Sequence, residues 1–193
     1  MNTVALRLPD GPGPVDIGAH AFALLMDAVW AGDEWDADQL RTVLGWGGRL
    51  AGPHLLADAW DGGLIDGSAV AAHIGAVWSG AEYPDAALGH GRWRELWRAA
   101  GFTRDGCPAE LPGGPVELWR GSMPERRADW SWTTERAIAE EYAGGGFGRK
   151  AGRLYRTMAP AGALLGAYSG RGEEEYVIDT DLTSIELVEG DKR

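Results

Sequence analysis

The chain has 193 residues, 45% of them hydrophobic, with ten tryptophans, 30 glycines and a formal net charge of -11. That length and apolar content suit one compact domain or two small ones with a core of ordinary size. The acidic balance disfavours general attraction to nucleic acid or to anionic membranes, and the single cysteine, Cys107, excludes an intrachain disulfide.

In chain order, residues 1–16 contain "PDGPGP" and read as an irregular arm. Ala19 to Trp30, "AHAFALLMDAVW", has apolar residues at helical spacing. Asp33 and Asp36 are candidate N-caps for a second helix through "DQLRTVLGWGGRL", and "GPHLLADAWDGG" predicts a short third one. "DGSAVAAHIGAVW" predicts another, capped by Asp66 or Ser68. "GRWRELWRAAG" sets Trp93, Leu96 and Trp97 on one face, with Gly101 as the stop.

The pattern changes after "PAELPGGP", Pro108 to Pro115, which reads as a hinge. "VELWRGS" and "ADWSWTT" predict strands. "TERAIAEEYA" predicts a helix capped by Thr134, with Ala137, Ile138 and Tyr142 turned inward. A Gly-rich loop follows, and then strands at "RLYRTMAP", "ALLGAYS", "EYVIDT" and "SIELVE". The expected class is α+β: a mainly helical N-terminal region, 1–110, followed by a β-rich core, 111–193, as two domains or as one compact unit.

Charge is unevenly spread. Residues 1–110 carry 7 basic and 15 acidic side chains, and residues 120–156 carry 8 basic and 5 acidic ones. A basic segment inside an acidic protein suits a small anionic ligand better than a long polyanion. With so many tryptophans, some are expected on an interaction surface. "GGGFGRK" lacks the spacing of a phosphate-binding P-loop. His20, His54, His73 and His90 form no ligand pattern, and no metal is expected. Without a signal-peptide pattern or a long apolar run, the expectation is a soluble protein of the cytoplasm, or one delivered into a target cell's cytoplasm, with no membrane partner.

Three short motifs carry the chemistry. "LWRGS" ends a strand in Arg120-Gly121. "SWTT" places Ser131, Trp132 and Thr133 on the next strand. "YSGRGEEEYVID" sets Glu173, Glu174 and Glu175 on a turn before a later strand. In this order, over roughly residues 115–190, they resemble the motifs of ADP-ribosyltransferases of the Arg-Ser-Glu, cholera-toxin-like class. The chain departs from that pattern at Thr133, where others have a second serine, and at Tyr176, where many have a branched aliphatic residue.

The resemblance implies a split-sheet core and NAD as substrate, without a metal. It implies that Glu175 supports an oxocarbenium-like ribose and bonds a ribose hydroxyl, and that Glu173 takes the acceptor's proton. The residue run leaves open whether Glu173 or Glu174 lies nearer the chemistry; the family pattern assigns Glu173, with Glu174 turned away. Arg120, Gly121, Ser131, Trp132 and Thr133 would contact NAD, Arg120 through its planar fork and Ser131 by orienting Glu175. Tyr168 either stacks on nicotinamide or the acceptor, or packs in the core. Arg171 either steadies the carboxylate loop or reads the acceptor, or is a surface arginine.

The activity implied is mono-ADP-ribosyl transfer to a macromolecule, a protein arginine in preference to a nucleic acid, in a toxin- or effector-like role with a possible cognate inhibitor. The alternatives are an NAD glycohydrolase, a nucleic-acid ADP-ribosyltransferase, and an inactive NAD-binding or interaction module. The helical region would position the target, cover the NAD cleft or bind a partner, or simply pack as an extension of the core.

Overall fold

The computed structural model describes residues 16–169 and 174–188. It divides into two compact units, Met1–Ala100 and Gly101–Arg193. The class is α+β, with helices first and a mixed sheet after.

The first unit is built from α1 (Ile17–Ala31), α2 (Ala37–Asp61), α3 (Gly67–Gly80) and α4 (Pro84–Ala100). Aspartates start three of them by accepting otherwise unpaired N–H groups of the first turn. Asp16 accepts from Ala19 N–H at 3.0 Å and Asp66 from Ala69 N–H at 2.9 Å. Asp36 and Gln39 form a reciprocal capping box, so of the two candidate caps for this helix Asp36 is the one used. The two helices expected between Asp36 and Asp61 run on as α2, with a break at Gly48, whose φ of 57° suits only glycine well. The core of this unit is tryptophan-rich. Trp78 and Trp93 meet edge to face at 5.0 Å, and Trp93, Leu96 and Trp97 turn the buried face of α4 inward, as their spacing predicts.

Among its described residues the second unit holds an eight-stranded sheet and one α-helix, with three short 3-10 turns. Its strands are β1 (Thr103–Arg104), β2 (Cys107–Pro108), β3 (Val116–Ser122), β4 (Ser131–Thr133), β5 (Arg153–Ala159), β6 (Leu164–Tyr168), β7 (Glu175–Ile178) and β8 (Glu186–Leu187), with α5 (Arg136–Ala143) between β4 and β5. The order across the sheet is β2-β1-β6-β7-β4-β3-β5-β8. Among the described strands only β1 and β6 pair in parallel.

Three expectations are corrected here. The strands join edge to edge in one sheet instead of two, because β4 bonds β3 on one side and β7 on the other. Pro108–Pro115, read as a hinge, lies within the second unit, after a hairpin at 103–108 that the sequence reading left among the helices. In α5 it is Ala139 that is buried while Ala137 is exposed, and Thr134 does not cap the helix. The hydroxyl of Thr133 instead accepts Glu135 N–H at 3.0 Å.

Alternation along the strands sorts the sheet into two faces. One face carries the core: Leu118, Trp132, Tyr155, Ala159, Leu164, Ala167, Tyr176 and Ile178. On the other face, α5 lies over β3 at Gly121. A Cβ there would overlap the Ala139 carbonyl oxygen and come within 2.8 Å of Tyr142 Cβ. Glycine follows Arg120 because a helix backbone occupies the space of a side chain.

Candidate active site

Pairing register builds one continuous row across the second face. Tyr168 pairs with Glu175, Glu175 with Thr133, Thr133 with Trp119, and Trp119 with Arg156. Directly opposed residues of neighbouring strands share a face with Cβ atoms about 5 Å apart. The carboxylate of Glu175 therefore springs from between a tyrosine and a threonine. Ser131, two residues before Thr133, shares that face, with Val177 as its own cross-strand partner. The structure thus brings Glu175, Thr133, Ser131 and Tyr168 together. The immediate neighbour of Glu175 is Thr133, not Ser131.

Two guanidinium groups lie over the Trp119 ring, Arg136 at 5.0 Å and Arg156 at 6.0 Å from its centroid. Arg156 also faces Glu117 at 3.5 Å and Glu186 at 3.7 Å. Arg136 pairs with Glu140 at 2.8 Å.

Arg120 belongs to the opposite face, and its fork is occupied by the protein itself. Nη2 donates to Asp129 Oδ2 at 3.0 Å, Nε to the Arg126 carbonyl at 3.2 Å, and Nη1 to the Ser131 carbonyl. Arg126 reaches the same Asp129 oxygen at 2.7 Å. Arg120 and Asp129 are 12% and 16% exposed, so this is a partly buried ion pair stitching the end of β3 to the start of β4. Arg120, Arg126, Arg136 and Arg156 each lie beside a carboxylate, with Arg120 and Arg126 sharing that of Asp129.

The remaining candidates separate. Trp132 is 2% exposed on the core face, where its indole N–H donates to the Asp129 carbonyl at 2.9 Å. Alternation puts it opposite to Ser131 and Thr133 on their own strand, so its side chain points away from the Glu175 row. Gly121 lies under α5. Glu174, expected to turn away, faces Arg104 at 3.6 Å. Glu173 and Arg171 lie outside the described residues.

Asp129 and the Arg104–Asp105 pair are structural partners that the sequence reading missed. For the second there was a signal. Asp105-Gly106 is the dipeptide favoured in two-residue hairpins, and both residues take positive φ, 51° and 78°. For Asp129 there was none beyond its three-residue distance from Arg126. Among the described residues no cluster of three or more His, Cys, Asp or Glu side chains is arranged to hold a metal. No described helix is long and apolar enough to cross a membrane. No protein-family model, curated protein or solved structure matches the chain.

Proposed function

We propose that the Gly101–Arg193 unit is a mono-ADP-ribosyltransferase that cleaves NAD at the nicotinamide–ribose bond and passes ADP-ribose to a macromolecular acceptor, a protein guanidinium in the first instance. The observation that carries this reading is adjacency. The motifs fall on three neighbouring strands, β3, β4 and β7, and the last of these, over forty residues further along the chain, sets Glu175 directly across from Thr133. Loss of nicotinamide leaves positive charge on the ribose, and a carboxylate held beside it stabilises that state. Glu175 serves this role because it leaves the first residue of a strand paired on both sides, which limits its backbone freedom. Tyr168 supplies a flat wall next to it, and Ser131 and Thr133 supply hydroxyls on the same face.

Arg120 acts in this reading chiefly as a brace. Its donors hold the β3–β4 edge in place, and an anionic substrate group reaching it competes with Asp129. Glu173, at the end of the preceding turn in sequence, receives the acceptor nucleophile's proton.

The test is incubation with NAD labelled in the adenine, together with cell lysate, following label transfer and nicotinamide release in parallel. Label on a macromolecule that disappears with Glu175→Ala is the expected result, and protease and nuclease digestion then report the acceptor class. Nicotinamide release without transfer would replace the reading by NAD hydrolysis. Neither signal would leave a binding module with a charged turn.

A further inference from the structure

We propose that α1 pairs with α1 of a second copy of this chain, antiparallel and about a twofold axis, through the stripe Ala19, Ala23, Met26 and Trp30. The four lie at i, i+4, i+7 and i+11, the spacing of one helix face, and all four are exposed. Trp30 is 84% exposed and Met26 45%. On its opposite face α1 buries only Ala21, Leu25 and Ala28, and it packs there on α2. Yet Asp27 is the one Asp, Glu, Lys or Arg side chain in the 15 residues of α1. A surface helix ordinarily turns charged and polar residues outward, and a helix that is apolar on both faces is one covered on both.

The shape of the stripe points to a second copy as its cover. A twofold interface sets one patch against itself, so the patch must be self-complementary. Pairing Ala19 with Trp30 of an antiparallel second copy puts Ala23 against Met26 in the same register, because both pairs are centred on the same point of the helix. Each contact then lays a large side chain over a small one, and the twofold repeats it. A parallel pair would instead crowd Trp30 against Trp30 and leave Ala19 facing Ala19. The antiparallel register also brings Asp27 beside His20 of the second copy, since both leave the helix on the same flank of the stripe, and a carboxylate there meets an imidazole. Two Trp30 side chains together bury about 400 Å², a large part of the roughly 1,000 Å² that a specific interface needs. The seam is short, so the dimer is a reversible one, with a dissociation constant on the order of 10 µM.

Sedimentation velocity of the full chain, run from well below to well above that concentration, is the test. The sedimentation coefficient should climb from the monomer to the dimer value in the wild type. In Trp30→Ser the dissociation constant should rise at least about tenfold. That variant keeps its fold, because Trp30 lies outside the core, and far-ultraviolet circular dichroism checks this. Register is read separately. In a Cys107→Ser background, which removes the exposed native thiol, Ala23→Cys and Met26→Cys proteins are mixed and oxidised, and the linked peptides are identified by mass spectrometry. Links between the two different variants should outnumber links within either one several-fold. A wild-type chain that stays monomeric over the whole range overturns the proposal, whether another protein covers the stripe or none does. A dimer that Trp30→Ser leaves intact overturns the seam, and a predominance of like-to-like links overturns the antiparallel register.

Discussion

Thr133 and Glu175 stand directly opposite one another on β4 and β7, and the Thr133 hydroxyl also accepts the Glu135 N–H that precedes α5. One hydroxyl therefore serves the start of a helix and stands beside the candidate catalytic carboxylate. Thr133→Val, which keeps the shape and removes the oxygen, should cost about 1 kcal/mol of stability and should lower nicotinamide release by more than that loss of folded protein explains. Thr133→Ser should retain both. Chemical denaturation alongside steady-state NAD turnover checks it, and equal behaviour of the two variants would remove Thr133 from the site.

Removing Asp129 should be among the most damaging single changes in the second unit. It leaves Arg120, 12% exposed, without its carboxylate partner and releases Arg126 as well. Asp129→Ala should destabilise by about 3 kcal/mol, whereas Arg120→Met with Asp129→Leu together should cost less than either alone. Urea unfolding of Arg120→Met, Asp129→Leu and their combination measures this as a double-mutant cycle, with Asp129→Ala beside it.

Gly121→Ala should displace α5 from β3, since the added methyl meets the Ala139 carbonyl and the Ala143 amide, and backbone cannot swing aside as a side chain can. The expected loss is about 2 kcal/mol. The same substitution at Gly113, where an added Cβ meets nothing within 4 Å, should be nearly silent. Thermal melts of both variants compare them directly.

Acid should weaken the helical unit through His73. Its Nε2 is buried without a hydrogen-bond partner, and burial, followed by the charge of Arg41, holds its pKa below the ordinary 6.5. The unfolded chain then binds the proton more readily than the folded one. The contribution is present above about pH 6.5 and is lost as pH falls through the lowered folded value. His73→Met should flatten the decline in Tm between pH 7 and pH 5 relative to wild type, without lowering Tm at pH 7. An unchanged slope would show that other groups carry the acid sensitivity.

Trp30 is 84% exposed on α1, the most exposed of the large apolar side chains among the described residues. Trp30→Ser should change stability by less than about 0.5 kcal/mol. By contrast, Trp78→Ser, at a fully buried position, should cost several times as much. Denaturant midpoints of the two variants set the scale.

Much of the fold is legible locally. Asp36 and Asp66 announce helix starts because capping is settled within three residues of chain, whereas Asp16, placed at the end of the expected irregular arm, also caps a helix. Trp93, Leu96 and Trp97 announce a buried face because helical period is local too. The strands from β3 to β8 follow from short runs of β-branched and aromatic residues bounded by glycine and proline. The Asp105-Gly106 hairpin was equally readable, but two-residue strands are too short to show alternation, and the segment follows directly on a strong helical pattern.

By itself the sequence determined the helix-then-sheet order, a helix cap at Asp33 or Asp36 and another at Asp66 or Ser68, and the buried face of Trp93, Leu96 and Trp97, because each of these depends on neighbours a few residues apart. Which motif residues share a face is a matter of strand register, which joins positions dozens of residues apart. Only the tertiary structure set Glu175 against Thr133, turned Trp132 into the core, and gave the fork of Arg120 to Asp129. A shift of one residue in pairing would exchange the two faces of a strand, and nothing within a single strand records which partner it will meet.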